Sequence, residues 1–205
     1  MILNNVSLLE GRATTSRFDS NSSLEDATIR ELVRLATLAP SAYHMQNWSF
    51  LAVRTDDAKA QLVDLAYGQR QVKDAAVTFI INGTLHAHRS LSERLQPSVD
   101  AGVIPASIQS AWVEMASASH EGNSQLQRDE AIRSATFAAM SLLLAAREMG
   151  LDAGVVGGFD AVSLGEVFAL DAHELPVVLV TVGRALSDNW PQKIRRSVSE
   201  VLRIR

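Results

Sequence analysis

The chain has 205 residues, 47% hydrophobic and 20% charged, with a formal net charge of −4. That is the balance of one globular domain with a real core, and the scattered Lys and Arg give no nucleic-acid footprint. There are no cysteines, which excludes disulfides, thiolate metal sites and any Cys nucleophile, so redox chemistry here would have to be carried by a bound cofactor.

Met1-Ile2-Leu3-Asn4-Asn5 has no basic region followed by an apolar stretch, so no signal peptide is expected. No run approaches the length of a membrane span, and the expected location is cytoplasmic. Ser22-Ser23-Leu24-Glu25 has the spacing of a capping box. Ile29, Leu32, Val33 and Ala36 follow as an apolar stripe, in a helix that Pro40 is expected to end. Ser49 to Val53 reads as a strand, and Ala58 to Ala66 as a short helix closed near Gly68. Ala75 to Asn82 is nearly all apolar and reads as a buried strand. Pro105 to Ala118 has a helical pattern with Trp112 and Met115 on one side, broken by Glu121-Gly122-Asn123-Ser124. Leu126 to Glu148 is the longest helical pattern. Its centre, Ala135 to Ala146, is apolar nearly all round and calls for burial on most faces; Gly150 stops it. Asp160 is placed to cap a short helix to about Phe168, and Val177 to Val182 is a second apolar strand closed by Gly183. Helices outnumber strands, so the class is α+β.

Four segments carry candidate chemistry. Gly11-Arg12-Ala13-Thr14-Thr15-Ser16-Arg17-Phe18 combines two guanidinium groups with three hydroxyls, a set that suits a phosphate; a solvated arm is the plainer reading. Ala39-Pro40-Ser41-Ala42-Tyr43-His44-Met45-Gln46-Asn47-Trp48 places small residues, amides and an aromatic ring between a helix and a strand, as a loop beneath a flat ligand would require. Its plainer reading is a loop with Trp48 plugging the core. Gly154-Val155-Val156-Gly157-Gly158-Phe159-Asp160 offers backbone N–H groups before a helix start, or an ordinary turn with Asp160 as cap. It is not a GxGxxG fingerprint. Pro191-Gln192-Lys193-Ile194-Arg195-Arg196 holds three cations in four positions, suited to a phosphate clamp or to a solvated tail. His86-Ala87-His88 has metal-like spacing but no accompanying ligand cluster, so no metal is expected, and no Ser-His-Asp order or nucleophile elbow is present.

The order of these segments, from the Arg/Thr arm through the Ala-Pro-Ser loop, the turn Ala66-Tyr67-x-Gln69-x-Gln71-Val72-x-Asp74-Ala75, the long Ala-rich helix and Gly-Gly-Phe-Asp to the Lys-x-Arg tail, resembles the FMN-dependent nitroreductase family. The likeness runs from Gly11 to about Leu202 and is strongest to the bacterial subgroup of short NAD(P)H nitroreductases linked to quinone response. Leu91 to Asn123 holds no matching motif.

The resemblance implies a central, mostly antiparallel sheet flanked by helices, in an intertwined homodimer with a C-terminal extension. It implies FMN bound without a covalent link at the dimer interface, and NADH or NADPH as electron donor. By position it assigns Arg12, with Ala13 and Thr14, to the FMN phosphate, and Lys193 and Arg195 to a phosphate clamp at the other end. Ser16 stands where many members have a cation reaching the flavin pyrimidine. Neighbouring Arg17 is expected to supply that charge; without it the reduction potential should fall. Pro40, Ser41 and Ala42 match residues lining the isoalloxazine, often from the other subunit, with His44 and Gln46 in the same loop. Gln69 or Gln71 matches the turn bonding the pyrimidine edge. Val156, Gly157 and Gly158 match the segment crossing the flavin face. No catalytic acid or base is implied, because the flavin carries the chemistry. The implied reaction is ping-pong reduction of a small aromatic acceptor, a nitroaromatic or quinone, with Tyr43, His44 and the Leu91–Asn123 region shaping the acceptor side. A flavin store or sensor, or a flavin oxidase or dehydrogenase acting on another small substrate, is the alternative. The all-round apolar centre of the long helix independently favours a dimer.

Overall fold

The two near-continuous apolar runs form the centre of a four-stranded sheet, in a computed structural model that describes residues 6–205. Met1–Asn5, read above for a leader, lies outside the described residues. The strands are β1 (Trp48–Val53), β2 (Val77–Thr84), β3 (Asp152–Val156) and β4 (Glu174–Gly183). Their order is β1-β2-β4-β3 and every pairing is antiparallel. The helices are α1 (Val6–Gly11), α2 (Asp26–Ala36), α3 (Asp56–Leu65), α4 (Arg70–Asp74), α5 (Leu91–Asp100), α6 (Ala106–His120), α7 (Ser124–Glu148), α8 (Ala161–Val167) and α9 (Val198–Val201). The α+β class with a helix-flanked antiparallel sheet is therefore the observed architecture. Among the described residues no helix is long and apolar enough to cross a membrane.

Strand alternation explains why β2 and β4 are apolar on both sides. Phe79, Ile81, Val180 and Val182 face a core built with α2 and α7, whereas Ile80 and Leu179 face a second core built with α3, α4 and α8. Helix α7 lies directly on β2: a Cβ at Gly83 would stand 2.5 Å from the Ala131 carbonyl oxygen. A third, smaller core joins the Pro40 loop to α5 and α6 through Met45, Ala87, Leu91, Leu95 and Ala116. It organises the stretch that held no recognisable motif.

Several expected boundaries move for local reasons. The Ser22–Glu25 capping box does not form. Ser22 is instead held in a turn by its N–H to the Asp19 carbonyl (3.0 Å), and α2 starts at Asp26 behind Glu25, which makes no side-chain cap bond. A capping box does form at Ser197–Glu200, opening α9. Helix α2 ends at Ala36, before Pro40, where the Thr37 hydroxyl donates to the Arg34 carbonyl (2.8 Å). Gly154 to Val156, expected as a ligand-facing turn, lies in β3 and pairs with Val180 and its neighbours. Helix α5 runs through Pro97, and α4 occupies the glutamine-rich turn. Gly68 and Gly150 adopt positive φ, +72° and +71°, and close α3 and α7 as expected.

Candidate functional site

The arm after α1 reaches its place by backbone pairing on β3 and on the chain leaving β4. Thr15 N–H donates to the Ala153 carbonyl (3.0 Å), and Phe18 bridges Ala185. A Cβ at Gly154 would stand 2.2 Å from the Thr15 carbonyl oxygen, so only glycine lets the arm lie this close. Gly154 is thus a packing residue rather than a ligand contact. Asn189 then stitches the two segments together. Its carbonyl accepts from Ser16 N–H (2.9 Å) and Arg17 N–H (3.0 Å), and its amide donates to the carbonyls of Arg17 (2.7 Å) and Leu186 (2.8 Å). Sequence reasoning missed Asn189; nothing marked it beyond an amide's capacity to donate and accept at once.

This stitching brings the two ends of the chain to one small cavity of about 40 Å³, lined by Thr14, Trp190, Pro191, Gln192, Lys193 and Arg195. The Lys193 ammonium stands 5.7 Å from the centre of the Trp190 ring, and Arg195 Nη1 donates to the Lys193 carbonyl (2.6 Å). Among the described residues neither cation, nor Arg12, forms an ion pair. Arg12 and Ala13 precede Thr14 on the arm and do not line the cavity. Arg17 pairs with Asp188 at 2.8 Å on the surface. Two unneutralised cations and a hydroxyl around a small cavity form a donor set for a singly attached, highly charged oxyanion.

The glutamine turn and the Gly157–Gly158 segment meet each other. Gln69 Nε2 donates to the carbonyls of Gly158 (2.7 Å) and Ala66 (3.0 Å), and its Oε1 accepts from Gln71 (3.4 Å). Asp160 N–H donates to the Leu65 carbonyl (2.9 Å). The Asp160 carboxylate caps α8 by accepting from the N–H groups of Val162 and Ser163 (both 3.1 Å) and the Ser163 hydroxyl (2.7 Å), which holds it below the usual carboxylate range. Val156 is buried in the second core, so it turns away from this face. Gly157 is exposed, and a Cβ there would meet nothing within 4 Å, so the backbone is open to a flat ligand. Arg70, in this turn, pairs with Asp74. Its guanidinium is raised above its ordinary value chiefly by Asp74, at 2.6 Å, with a lesser pull from Asp188.

The Pro40 loop stands apart from these segments. Tyr43, His44 and Gln46 all have positive φ, 52°, 60° and 45°, a conformation costing about 1 kcal/mol or more per non-glycine residue. The fold holds it with the Ser41 hydroxyl, which accepts from Gln46 N–H (2.9 Å), with Arg94 of α5 donating to the Met45 carbonyl, and with Met45 itself buried. Ala42 packs on the third core. Pro40, Ser41, Tyr43 and His44 form one wall of a cavity of about 590 Å³ whose opposite wall includes Leu95 and Trp112. The cavity this loop lines is separate from the one lined by the arm and the tail. The expected site residues therefore fall into separate groups on one chain.

Comparison with known proteins gives a consistent answer. The sequence profile of the nitroreductase family matches residues 9–184. The chain is 31% identical to the Bacillus subtilis protein YodC, named as an NAD(P)H nitroreductase, over 89% of this chain and 90% of that one. It is 27% identical to an oxygen-insensitive NADPH nitroreductase of Helicobacter pylori, covering 93% and 91%. Its fold superposes on a nitroreductase from Exiguobacterium sibiricum, solved in complex with FMN, with a TM-score of 0.90, 25% identity and coverage of 98% and 96%. The Bacillus subtilis nitroreductase ydfN superposes with a TM-score of 0.92 and 25% identity over the whole of both chains. The chain belongs to the nitroreductase family.

Proposed function

We propose that this member of the nitroreductase family is an FMN-dependent NAD(P)H oxidoreductase that reduces nitroaromatics or quinones as a homodimer. The observation that carries the reading is the convergence of arm and tail on one small cavity, where the Thr14 hydroxyl, Lys193 and Arg195 form a donor set matched to the FMN phosphate. Arg12, without an ion-pair partner among the described residues, is the further cation for that phosphate. The FMN bound to the Exiguobacterium relative and the nicotinamide in the names of YodC and the Helicobacter enzyme support the same choice.

When bound, FMN supplies two-electron transfer between nicotinamide and acceptor. The residues of the chain bind and orient. Gly157 leaves the face open for a donor and then an acceptor to stack, which predicts ping-pong kinetics. Gln69 ties down Gly158, and its neighbour Gln71 offers the free end of its amide to the pyrimidine edge. Arg17 and Ser16 lie beside that edge on the arm. Pro40, Ser41, Ala42 and Gln46 wall the site from the partner subunit, with Tyr43 and His44 facing the acceptor together with Leu95 and Trp112.

What one chain leaves uncovered supports the homodimer. On α7, Phe137 and Met140 are 45% and 36% exposed, and in the tail Ile194, Val198, Val201 and Ile204 are at least 64% exposed. Removing such surface from water is worth about 25 cal/mol per Å². A second copy would cover it and bring the Pro40 loop to the arm-and-tail group.

The decisive experiment loads the protein with FMN and mixes it anaerobically with NADH or NADPH. Bleaching of the yellow colour, restored by quinones or nitroarenes with parallel-line kinetics, is the expected result. A yellow protein that neither nicotinamide bleaches would favour the store or sensor, and a protein that ignores FMN would refute the assignment.

A further inference from the structure

The register of the sheet gathers five polar side chains at one end of β1, β2 and β4. Ser49 is paired with Asn82 and Thr84 with Glu174, and Thr84 N–H donates to the Asn47 carbonyl (2.9 Å). Asn47 and Ser49 stand two apart along one strand, and Asn82 and Thr84 two apart along the next. Side chains so placed share one face, and directly opposed ones lie about 5 Å apart. Asn47, Thr84 and Glu174 therefore make one row across three strands, with Ser49 and Asn82 in the row beside it. The same face carries Leu51, Ile80 and Leu179 into the second core. Polar residues thus replace the apolar ones that would continue that core.

These polar groups satisfy one another only in part. The Ser49 hydroxyl donates to Glu174 Oε1, and Asp171 N–H donates to Glu174 Oε2 (3.0 Å). The Glu174 side chain thus reaches from β4 across β2 to β1 and lies over the middle of the patch. A carboxylate only accepts, so Ser49 spends its proton there and accepts in turn from the Asn82 amide nitrogen (3.1 Å). That fixes the orientation of the Asn82 amide and leaves its oxygen free. Asn82 Oδ1, Asn47 Oδ1 and Thr84 Oγ1 are all buried, and none has a partner in the protein. Asn47 and Asn82 are 2% and 1% exposed. Among the described residues Glu174 forms no ion pair. Unmatched buried oxygens are destabilising, and native proteins meet them with water, an ion or a function.

What the patch lacks is positive charge. Its donors are amide, hydroxyl and carboxylate oxygens, a hard set with no nitrogen or sulfur for zinc or copper. Calcium or magnesium would bring two charges to a single carboxylate, and among the described residues no group of three His, Asp or Glu side chains is placed to hold a metal. One carboxylate balances one charge. We propose that Asn47 Oδ1, Asn82 Oδ1, Thr84 Oγ1 and the Glu174 carboxylate bind a monovalent cation, sodium or potassium. The ion ties three strands together at the point where the Pro40 loop enters the sheet. Asn47 directly follows Gln46, whose φ is 45°, so the ion also steadies the end of that strained loop. This site is independent of the oxidoreductase reading.

The test follows thermal unfolding of the full-length protein, with and without FMN, in choline, sodium and potassium chloride at equal ionic strength. Sodium or potassium should raise Tm above its value in choline, by roughly 4–7 °C at twenty times the dissociation constant. The ion that acts at the lower concentration is the one the site prefers. Glu174→Gln and Asn82→Leu should each remove the response, which a general effect of salt would not. Crystals of the unmutated protein grown in rubidium or thallium(I) salt serve where a variant does not fold. An anomalous peak among the four oxygens supports the site, and density there without anomalous signal means water alone and overturns it. Equal Tm in the three salts, or an ion response unchanged in both variants, overturns it as well.

Discussion

Gly154→Ala tests whether the arm is positioned by β3. The new methyl group would stand 2.2 Å from the Thr15 carbonyl oxygen and 2.9 Å from Thr181 Oγ1, both inside van der Waals contact. The structure can respond in two ways. If Thr15 stays, the overpacked site costs about 1–3 kcal/mol. If the arm lifts, the Thr15–Ala153 hydrogen bond is lost, about 0.5–1.5 kcal/mol. Phe18, now 2% exposed, is then partly bared against a full burial value of about 1.5–3 kcal/mol. Either route comes to about 2 kcal/mol, which for a chain of this length lowers Tm by roughly 4–8 °C. Gly157→Ala is the control: its Cβ would meet nothing, and Tm should hold. Circular dichroism melts of the two variants, followed by FMN titration, separate stability from binding. The arm carries Arg12 and Thr14, so Gly154→Ala should also weaken FMN. A Gly154→Ala protein as stable as the parent would refute the claim that glycine is required for the close approach.

Lys193→Ala and Arg195→Ala should each weaken FMN about tenfold to a hundredfold, the worth of a charge-assisted hydrogen bond. Riboflavin, which lacks the phosphate, should bind the variants and the parent alike in a fluorescence titration; equal losses would remove these residues from the phosphate. Arg17→Ala should leave the midpoint potential of bound FMN unchanged, because Asp188 at 2.8 Å already balances its charge; a lower midpoint by potentiometric titration would restore Arg17 as the flavin's cation. Phe137→Glu with Met140→Glu should yield a monomer by sedimentation velocity and reduce FMN affinity with it; a monomer retaining full affinity would contradict a shared site. Burial chiefly holds His86 and His120 below the ordinary imidazole range. The unfolded chain therefore binds more protons in that interval, and stability rises with pH across it. Denaturant midpoints should be level above about pH 7 and fall as pH drops below about 6.5. The fall should be shallower in His120→Phe, and an equally steep one would acquit that residue.

The elements legible in the sequence were those whose apolar pattern repeats along one segment. The stretches centred on Phe79 and Val180 read as strands because apolar residues occupy both faces, and α7 read as a helix because its pattern is long and ends at Gly150. Among the elements that were illegible are β3, α4 and α5. β3 is five residues with a glycine at its centre, and it is a strand because β4 offers it a ladder and the arm fills the space over Gly154. α5 is held by contacts with Met45, distant in sequence, and with Ala116 of α6, the helix whose pattern was read from Pro105 to Ala118. The Ser22–Glu25 motif had the right spacing for a cap and lost Ser22 to a turn at Asp19. Local chemistry proposed these features, and long-range pairing decided between them.

The candidate site shows the same division more sharply. Residue types pointed to phosphate at both ends of the chain, but spacing could not say whether residues 14 and 193 meet. The answer lies in Asn189, whose amide takes the N–H groups and carbonyls of the arm and tail together. A histidine array was hidden for the same reason. His86 and His88 suggested a metal by spacing alone, whereas their partners His120 and His173 come from two other elements. What makes the array interesting is a pair of unsatisfied nitrogens that no linear pattern encodes. Committing His88 to Glu121 and His120 to Ala116 leaves each ring only one free nitrogen. Both of those atoms are buried.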